Sequence, residues 1–334
     1  MERDIVVIGN NLTSLILVYQ IMKENSDLKI TYFYNEELIR NSLFLPSFVY
    51  PLFSYPLEKI EQILTTSLEF YNDLFYTTKS FDISKASLLI LNSSLRETEE
   101  MYNKLQNSNM NCSILRQKEI KQTLPLLNSE RYNKGLISDS SLVINNLGGL
   151  AAYILNELKK LKVELIEYRK QEISYNPDNK EFLFKSKRIR VNKFLILTDH
   201  TIIPERNKLT NVLAAKTPLV EKFPRINLID NTTKLYIHME TEGYLNLFQL
   251  TSKSEKEKIL QQLTENFTIL FSTIQDFKIL DYYLVETVEK PYFNFDEKNI
   301  EIFSPFHMEL NLLPLLIKEL IPQMQKGEIE KKDF

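Results

Sequence analysis

Two spacings of apolar residues alternate along this chain. Ile5-Val6-Val7-Ile8 is a continuous apolar run of the kind shown by a strand buried on both faces. Leu12 to Met22 then carries apolar residues at helical spacing, and Lys29 to Tyr34 returns to β-branched and aromatic residues, so the chain opens strand, helix, strand. From Leu57 to Phe75 the positions Ile60, Ile63, Leu64, Leu68 and Tyr71 recur at three and four, which predicts an amphipathic helix. A strand is expected at Ser87 to Leu91, then short helices at Arg96 to Gln106 and Gln117 to Thr123. The second helix stops at Leu124-Pro125, because the residue before a proline is pushed out of the helical region. Gly148-Gly149 opens a helix that runs through Leu161. Strands are expected at Val163 to Ile166 and Lys193 to Thr198, enclosing a hairpin of Ser174-Tyr175 and Glu181 to Lys185 that turns at Pro177-Asp178-Asn179. Two more strands fall at Lys234 to Met239 and Tyr244 to Leu250. A charged helix from Ser254 and a last helix from Leu310 to Gln325 follow, and 326–334 reads as a frayed tail.

Composition narrows the class. A chain of 334 residues corresponds to about two domains. No repeat or low-complexity linker separates them, so the second is interleaved with the first. The chain is 43% hydrophobic and 25% charged, as folded soluble domains are. Its 41 basic and 44 acidic side chains leave a net charge of -3, which gives no electrostatic case for a nucleic-acid partner. The lone Cys112 cannot form an internal disulfide and three histidines make no zinc motif, so the expectation is a reducing, cytoplasmic compartment. No basic stretch precedes the first apolar run. The longest late run, Leu310 to Ile317, is broken by Asn311 and Pro314, so neither a signal peptide nor a membrane span is expected. Glycine is scarce: 6 residues, against a usual share of about 7%.

Several motifs occur in a suggestive order. Asp4-Ile-Val-Val-Ile-Gly9-Asn-Asn-Leu-Thr-Ser14 precedes the first helix, and Leu115 to Leu127 ends in Leu124-Pro-Leu-Leu127. Lys134-Gly135-Leu-Ile-Ser138, Leu142-Val-Ile-Asn145 and the Leu150 to Leu161 helix come next, then Glu242-Gly243-Tyr-Leu245, and finally Lys290-Pro291 with Asp296. This succession resembles the D-amino-acid-oxidase and glycine-oxidase superfamily of FAD-dependent oxidoreductases over nearly the whole chain. The resemblance implies an α/β protein in which an FAD/NAD(P)-binding Rossmann-like domain (1–80, 140–215 and 285–325) is interleaved with an antiparallel-sheet substrate-type domain (81–139 and 216–284). Active members use FAD to oxidise an amine, the protein supplying binding and orientation.

The same resemblance locates a cofactor site and shows what has changed there. A G-x-G-x-x-G turn uses its glycines for the tight turn, for approach to the pyrophosphate and for helix–strand packing. The three positions here are Gly9, Asn11 and Ser14. The residues by themselves also read as a capped helix after a buried strand, since Asn caps helices well. Tyr34 stands where an acidic residue ordinarily binds the adenosine ribose, and Glu36 lies two residues further on. Asn41 to Phe48 carries bulky residues where the family is glycine-rich. Leu197-Thr198-Asp199-His200 replaces an Ala-Ala-Gly strand end, and His307 lies in a turn without the family's glycines. Lys290 corresponds to the arginine that grips the substrate carboxylate, keeping its charge but not its fork. These departures lead to the expectation of a non-catalytic or regulatory subunit that has lost ordinary flavin binding, holds no cofactor, and assembles with an active flavoprotein relative. Two other readings stay open. One is an active FAD-dependent amine or amino-acid oxidoreductase with an atypical flavin site built from Asn11, Ser14 and Glu36. The other is a small-molecule binding protein.

Overall fold

The computed structural model describes residues 2–37, 39, 48–49, 57–107, 111–176, 181–202, 209–218, 223, 226–239, 244–252, 255–274, 277–288, 292–296, 298–303 and 309–326. In chain order its elements are β1 (Glu2–Gly9), α1 (Leu12–Glu24), β2 (Ile30–Tyr34), β3 (Phe48–Val49), α2 (Leu57–Thr78), β4 (Asp82–Leu91), α3 (Leu95–Asn107), β5 (Cys112–Arg116), α4 (Gln117–Thr123), β6 (Lys134–Asn145) and α5 (Leu147–Lys160). They continue with β7 (Glu164–Glu167), β8 (Ile173–Asn176), β9 (Glu181–Phe184), β10 (Lys187–Arg188), β11 (Arg190–Leu197), β12 (Leu209–Pro218), β13 (Ile226–Asp230), β14 (Leu235–Met239), β15 (Tyr244–Thr251), α6 (Lys256–Leu270), β16 (Asp281–Val288), β17 (Tyr292–Asp296), β18 (Asn299–Phe303) and α7 (Glu309–Lys326).

The first apolar run forms the centre of a six-stranded sheet in the order β17-β18-β11-β1-β2-β7, parallel except for the edge strand β17. The run is apolar throughout because both of its faces are covered. Ile5 and Val7 pack among side chains of α1, α2, α5 and α7 on one side. Val6 and Ile8 pack on the other against Tyr168, Ile173, Tyr175 and Phe182, beneath the three-stranded meander β8-β9-β10. The result is a helix–sheet–meander sandwich of the mixed α/β class.

A nine-stranded, mostly antiparallel sheet forms the second body, in the order β16-β12-β15-β14-β13-β4-β6-β3 with β5 added alongside β6. One face is sealed by α4 and α6, whose Ile120, Ile259, Leu263 and Phe267 meet Leu213, Leu235, Ile237 and Leu247. On part of the opposite face Leu88, Ile90 and Ile229 pack against Met101 and Leu105 of α3. Three of the expected domain boundaries, at 139/140, 215/216 and 284/285, fall inside β6, β12 and β16, each a strand of this sheet throughout its length.

The helical segments lie close to their expected limits, whereas several strands were not anticipated, among them β3, β5, β10, β12, β13, β16, β17 and β18. In β12 the Ala214-Ala215 pair and Asn211 blur the alternation, and β16 begins with adjacent tyrosines that do not mark one face. The last helix contains Pro314 and Pro322, yet continues to Lys326, the first residue of the expected tail; 327–334 lie outside the described residues.

Candidate functional site

The order β2-β1-β11 sets the site. From β1 the chain crosses to β2 on one side, and the strand added on the other side is β11, so connections diverge at the carboxyl ends of β1 and β11. Open parallel sheets bind ligands in the crevice at such a switch point. Gly9, Asn10 and Asn11 form the turn there, facing Thr198 and Asp199 at the end of β11.

Side chains hold this turn. Asn11 is the N-cap of α1 in an extended conformation; its Oδ1 accepts from Ser14 N at 3.0 Å and its Nδ2 donates to Thr198 O at 3.4 Å. Ser14 Oγ donates to Asn11 O (2.7 Å) and lies 2.7 Å from the Tyr32 hydroxyl. Tyr32 is fully buried, and burial above all pushes its phenol upward, the Ser14 hydrogen bond acting against that shift. Gly9 has no room for a side chain: a Cβ there would collide with Ser14 Cβ and Oγ and lie 2.8 Å from Thr198 Oγ1.

A second network lies beside the first. Asp199 is fully buried, and its Oδ1 accepts from Asn10 Nδ2 (2.9 Å), Thr201 N (2.9 Å) and Thr201 Oγ1 (2.7 Å). The Tyr168 hydroxyl donates to Oδ2. Burial raises the Tyr168 phenol, and the neighbouring Asp199 charge adds to the shift. Asp199 therefore serves as an internal acceptor for the three strand ends around it. Sequence reasoning noticed Asp199 but not its partners. The available signal was the presence of polar residues just beyond three parallel strands, at Asn10, Tyr168 and Asp199, where apolar packing would otherwise continue.

The remaining expected residues fall unevenly. Tyr34 ends β2 half-buried; its carbonyl accepts from Tyr168 N at 3.0 Å, and its phenol is raised by burial and then by Glu167 and Glu36. Glu36 is exposed. Gly9, Asn11 and Ser14 meet at one turn, with Tyr34 and Glu36 at and beyond the end of the neighbouring strand. Lys290 and His307 lie outside the described residues, as do residues 41–47 and Gly243.

One group in the turn points to a ligand. The amides of Leu12 and Thr13 occupy the first two positions of α1, where no intrahelical acceptor exists. Thr13 Oγ1 is completely buried and has no hydrogen-bond partner among the described residues. Two first-turn amides without an intrahelical acceptor, the Thr13 hydroxyl and the positive end of a helix dipole form a donor set of the chemistry that suits a phosphate or pyrophosphate. At the β2 end, a ribose hydroxyl would meet Tyr34 or Glu36 in place of a carboxylate at the strand terminus. Among the described residues no cluster of potential metal ligands occurs, and no helix is long and apolar enough to cross a membrane.

The nine-stranded sheet carries a polar row of its own. Pairing register sets Lys216 of β12 opposite Asn246 of β15, and Asn246 opposite His238 of β14; His238 Nδ1 lies 2.9 Å from Asn227 Oδ1 on β13. His238 and Asn227 are buried. Lys216 Nζ sits 4.4 Å from the centre of the Tyr244 ring. Tyr236, two residues before His238 on the same face, has its phenol pushed up to about 12 by burial.

No protein-family model matches the chain, and no curated protein does. Solved structures do match over its whole length. L-proline dehydrogenase from P. horikoshii superposes with a TM-score of 0.77 at 12% identity, covering 98% of this chain and 95% of that one. Glycine oxidase from Geobacillus kaustophilus gives 0.76 at 11%, covering 99% and 96%. L-alpha-glycerophosphate oxidase from Mycoplasma pneumoniae, solved with FAD bound, gives 0.73 at 14%, covering 100% and 97%. The chain thus has the fold of the D-amino-acid-oxidase and glycine-oxidase type of FAD-dependent oxidoreductase. This likeness overturns the expectation of a chain without cofactor, because the shared fold is that of flavoenzymes. The error lay in reading missing glycines as a missing site: Asn11 caps the helix and Ser14 packs inward against Tyr32.

Proposed function

We propose that this chain is an FAD-dependent oxidoreductase of the D-amino-acid-oxidase fold, acting on an amine or amino acid through an atypical nucleotide turn. The observation that carries the reading is the buried Thr13 hydroxyl at the start of α1, without a hydrogen-bond partner among the described residues, in a fold matched over 98–99% of the chain by an L-proline dehydrogenase and a glycine oxidase. Leu12 N, Thr13 N and Thr13 Oγ1 would hold the pyrophosphate, with Gly9 allowing the tight turn. Asn11 holds that turn through its cap instead of clearing the way as a glycine does. Glu36 is the carboxylate available to the ribose. When bound, FAD supplies the redox chemistry at the carbon beside the substrate nitrogen. On the substrate side, the row Lys216–Asn246–His238 offers a positive charge and polar donors on a face that is otherwise apolar at Val212, Ala214 and Phe248.

Purified protein reconstituted with FAD tests the reading. Flavin absorbance at about one FAD per chain, bleached anaerobically by an amine or amino acid, is the expected result. Protein that retains no flavin from excess FAD would sink it. A second reading keeps the cofactor but makes the chain a regulatory subunit without turnover of its own, favoured by the side chains at Asn11, Ser14 and Asp199. It predicts bound flavin that no substrate bleaches, and a stoichiometric flavoprotein partner in a pull-down from the native source.

A further inference from the structure

We infer that Asp199 is a positioning residue for the β1–α1 turn, fixing the donors of the nucleotide site without touching the nucleotide; the inference rests on the flavin reading above. A buried carboxylate with no cation beside it is stable only if its lone pairs are filled by donors. Among the described residues Asp199 has no ion-pair partner and is held by donors from three places: Asn10 beyond β1, Tyr168 beyond β7 and Thr201 beyond β11. Tyr168 belongs to the layer beneath the meander, and its hydroxyl brings that layer to the carboxyl end of β11. Asn10 is the middle residue of the turn, between the glycine that cannot accept a Cβ and the asparagine that caps α1. The path from Tyr168 through Asp199 to Asn10 therefore ends on the residues that aim Leu12 N and Thr13 N. A turn usually shaped by glycine is held here by a charge-assisted bond from the next strand, which sets the loop before any ligand arrives.

The test uses the full-length protein and two measurements. Affinities for FAD and for ADP, which shares its diphosphate, are taken by fluorescence quenching and competition. Amide hydrogen exchange of residues 9–13 is followed without ligand. Asp199→Leu and Asn10→Leu should each weaken FAD and ADP by the same factor, at least about tenfold, and speed exchange across the turn. Asp199→Asn should recover most of the affinity, because it keeps the shape and leaves Tyr168 able to reverse its hydroxyl and donate or accept. The control is Asp230→Asn, which alters another fully buried carboxylate, held by Thr232 N and Thr233 N in the other sheet. It should lower the melting temperature without moving FAD affinity. If Asp199→Leu does not fold, Tyr168→Phe replaces it, with a smaller loss in the same direction. Unchanged exchange and affinity in the Asn10 and Asp199 variants, or an equal affinity loss in the Asp230 control, would overturn the inference. Failure of the unaltered protein to bind FAD while turn exchange still rises in the variants would instead count against the flavin reading alone.

Discussion

Gly9 has no space for a β-carbon, and the residue that takes the space is Ser14. Two positions that are both glycine in the usual fingerprint thus depend on each other here, one small so that the other can carry a hydroxyl to Tyr32. Gly9→Ala should destabilise the protein by about 1–3 kcal/mol through overpacking. Adding Ser14→Gly removes the two nearest atoms in conflict, leaving only the contact with Thr198 Oγ1, so the double variant should be more stable than the sum of the single changes predicts, by about 0.5–3 kcal/mol of coupling. Urea unfolding of the three variants measures this; strict additivity would mean that the two residues do not compete for the same space. On the substrate side, Lys216→Met keeps the length of the side chain and removes its charge. It should raise KM for an amino acid while leaving flavin absorbance as it was, if the polar row of β12, β15 and β14 contacts substrate.

Among the elements, α5 offers an internal comparison. Its N-cap, Asn146, adopts the left-handed conformation (φ 56) and accepts from Gly149 N at 3.0 Å. Gly148 has nothing within 4 Å of a would-be Cβ, whereas a Cβ on Gly149 would strike Ser80 O and come within 2.6 Å of Asn146 Nδ2. Gly148→Ala should therefore stabilise the protein by about 0.5–1 kcal/mol, by the difference in helix propensity, and Gly149→Ala should destabilise it. Thermal melts of the two variants should move in opposite directions. The same scale shows what the sequence could reveal. Helices with one apolar face and the doubly buried β1 were legible, since their periodicity is imposed by a single covering layer. Strands β12 and β16 were not, because their partners lie across a sheet assembled from distant segments and their side chains answer to those partners. At the candidate site, Gly9, Asn11 and Ser14 were singled out by the family resemblance of the first turn. The roles of Tyr32, Tyr168 and Asn10 depend on which strand ends become neighbours, which no local pattern records.

Across the whole molecule, several phenols stand in surroundings that disfavour their ionised form. Burial raises Tyr32, Tyr168 and Tyr132, and brings Tyr236 to about 12. A phenol raised in the folded state contributes stability that is complete below its unfolded value of about 10 and is lost as pH climbs from there toward the folded value. The protein should thus tolerate mild alkali and then lose up to about 1.4 kcal/mol per pH unit for each such tyrosine above about pH 10. Of its 17 tyrosines, the buried class should ionise only together with unfolding. Absorbance at 295 nm read beside circular dichroism checks this, and smooth ionisation of every tyrosine with the fold intact would contradict it.

The central strand β1 lies between β2, whose Tyr32 pairs with Val7, and β11, whose Ile196 pairs with the same Val7, and β18 joins only beyond residue 298. A chain growing from its amino terminus thus exposes Ile5 to Ile8 long before the strands that complete their sheet have left the ribosome. Synthesis at about 5–20 residues per second leaves this apolar run unsheltered for on the order of ten seconds or more, a period in which chaperone supply rather than intrinsic stability decides how much of the protein reaches its native form.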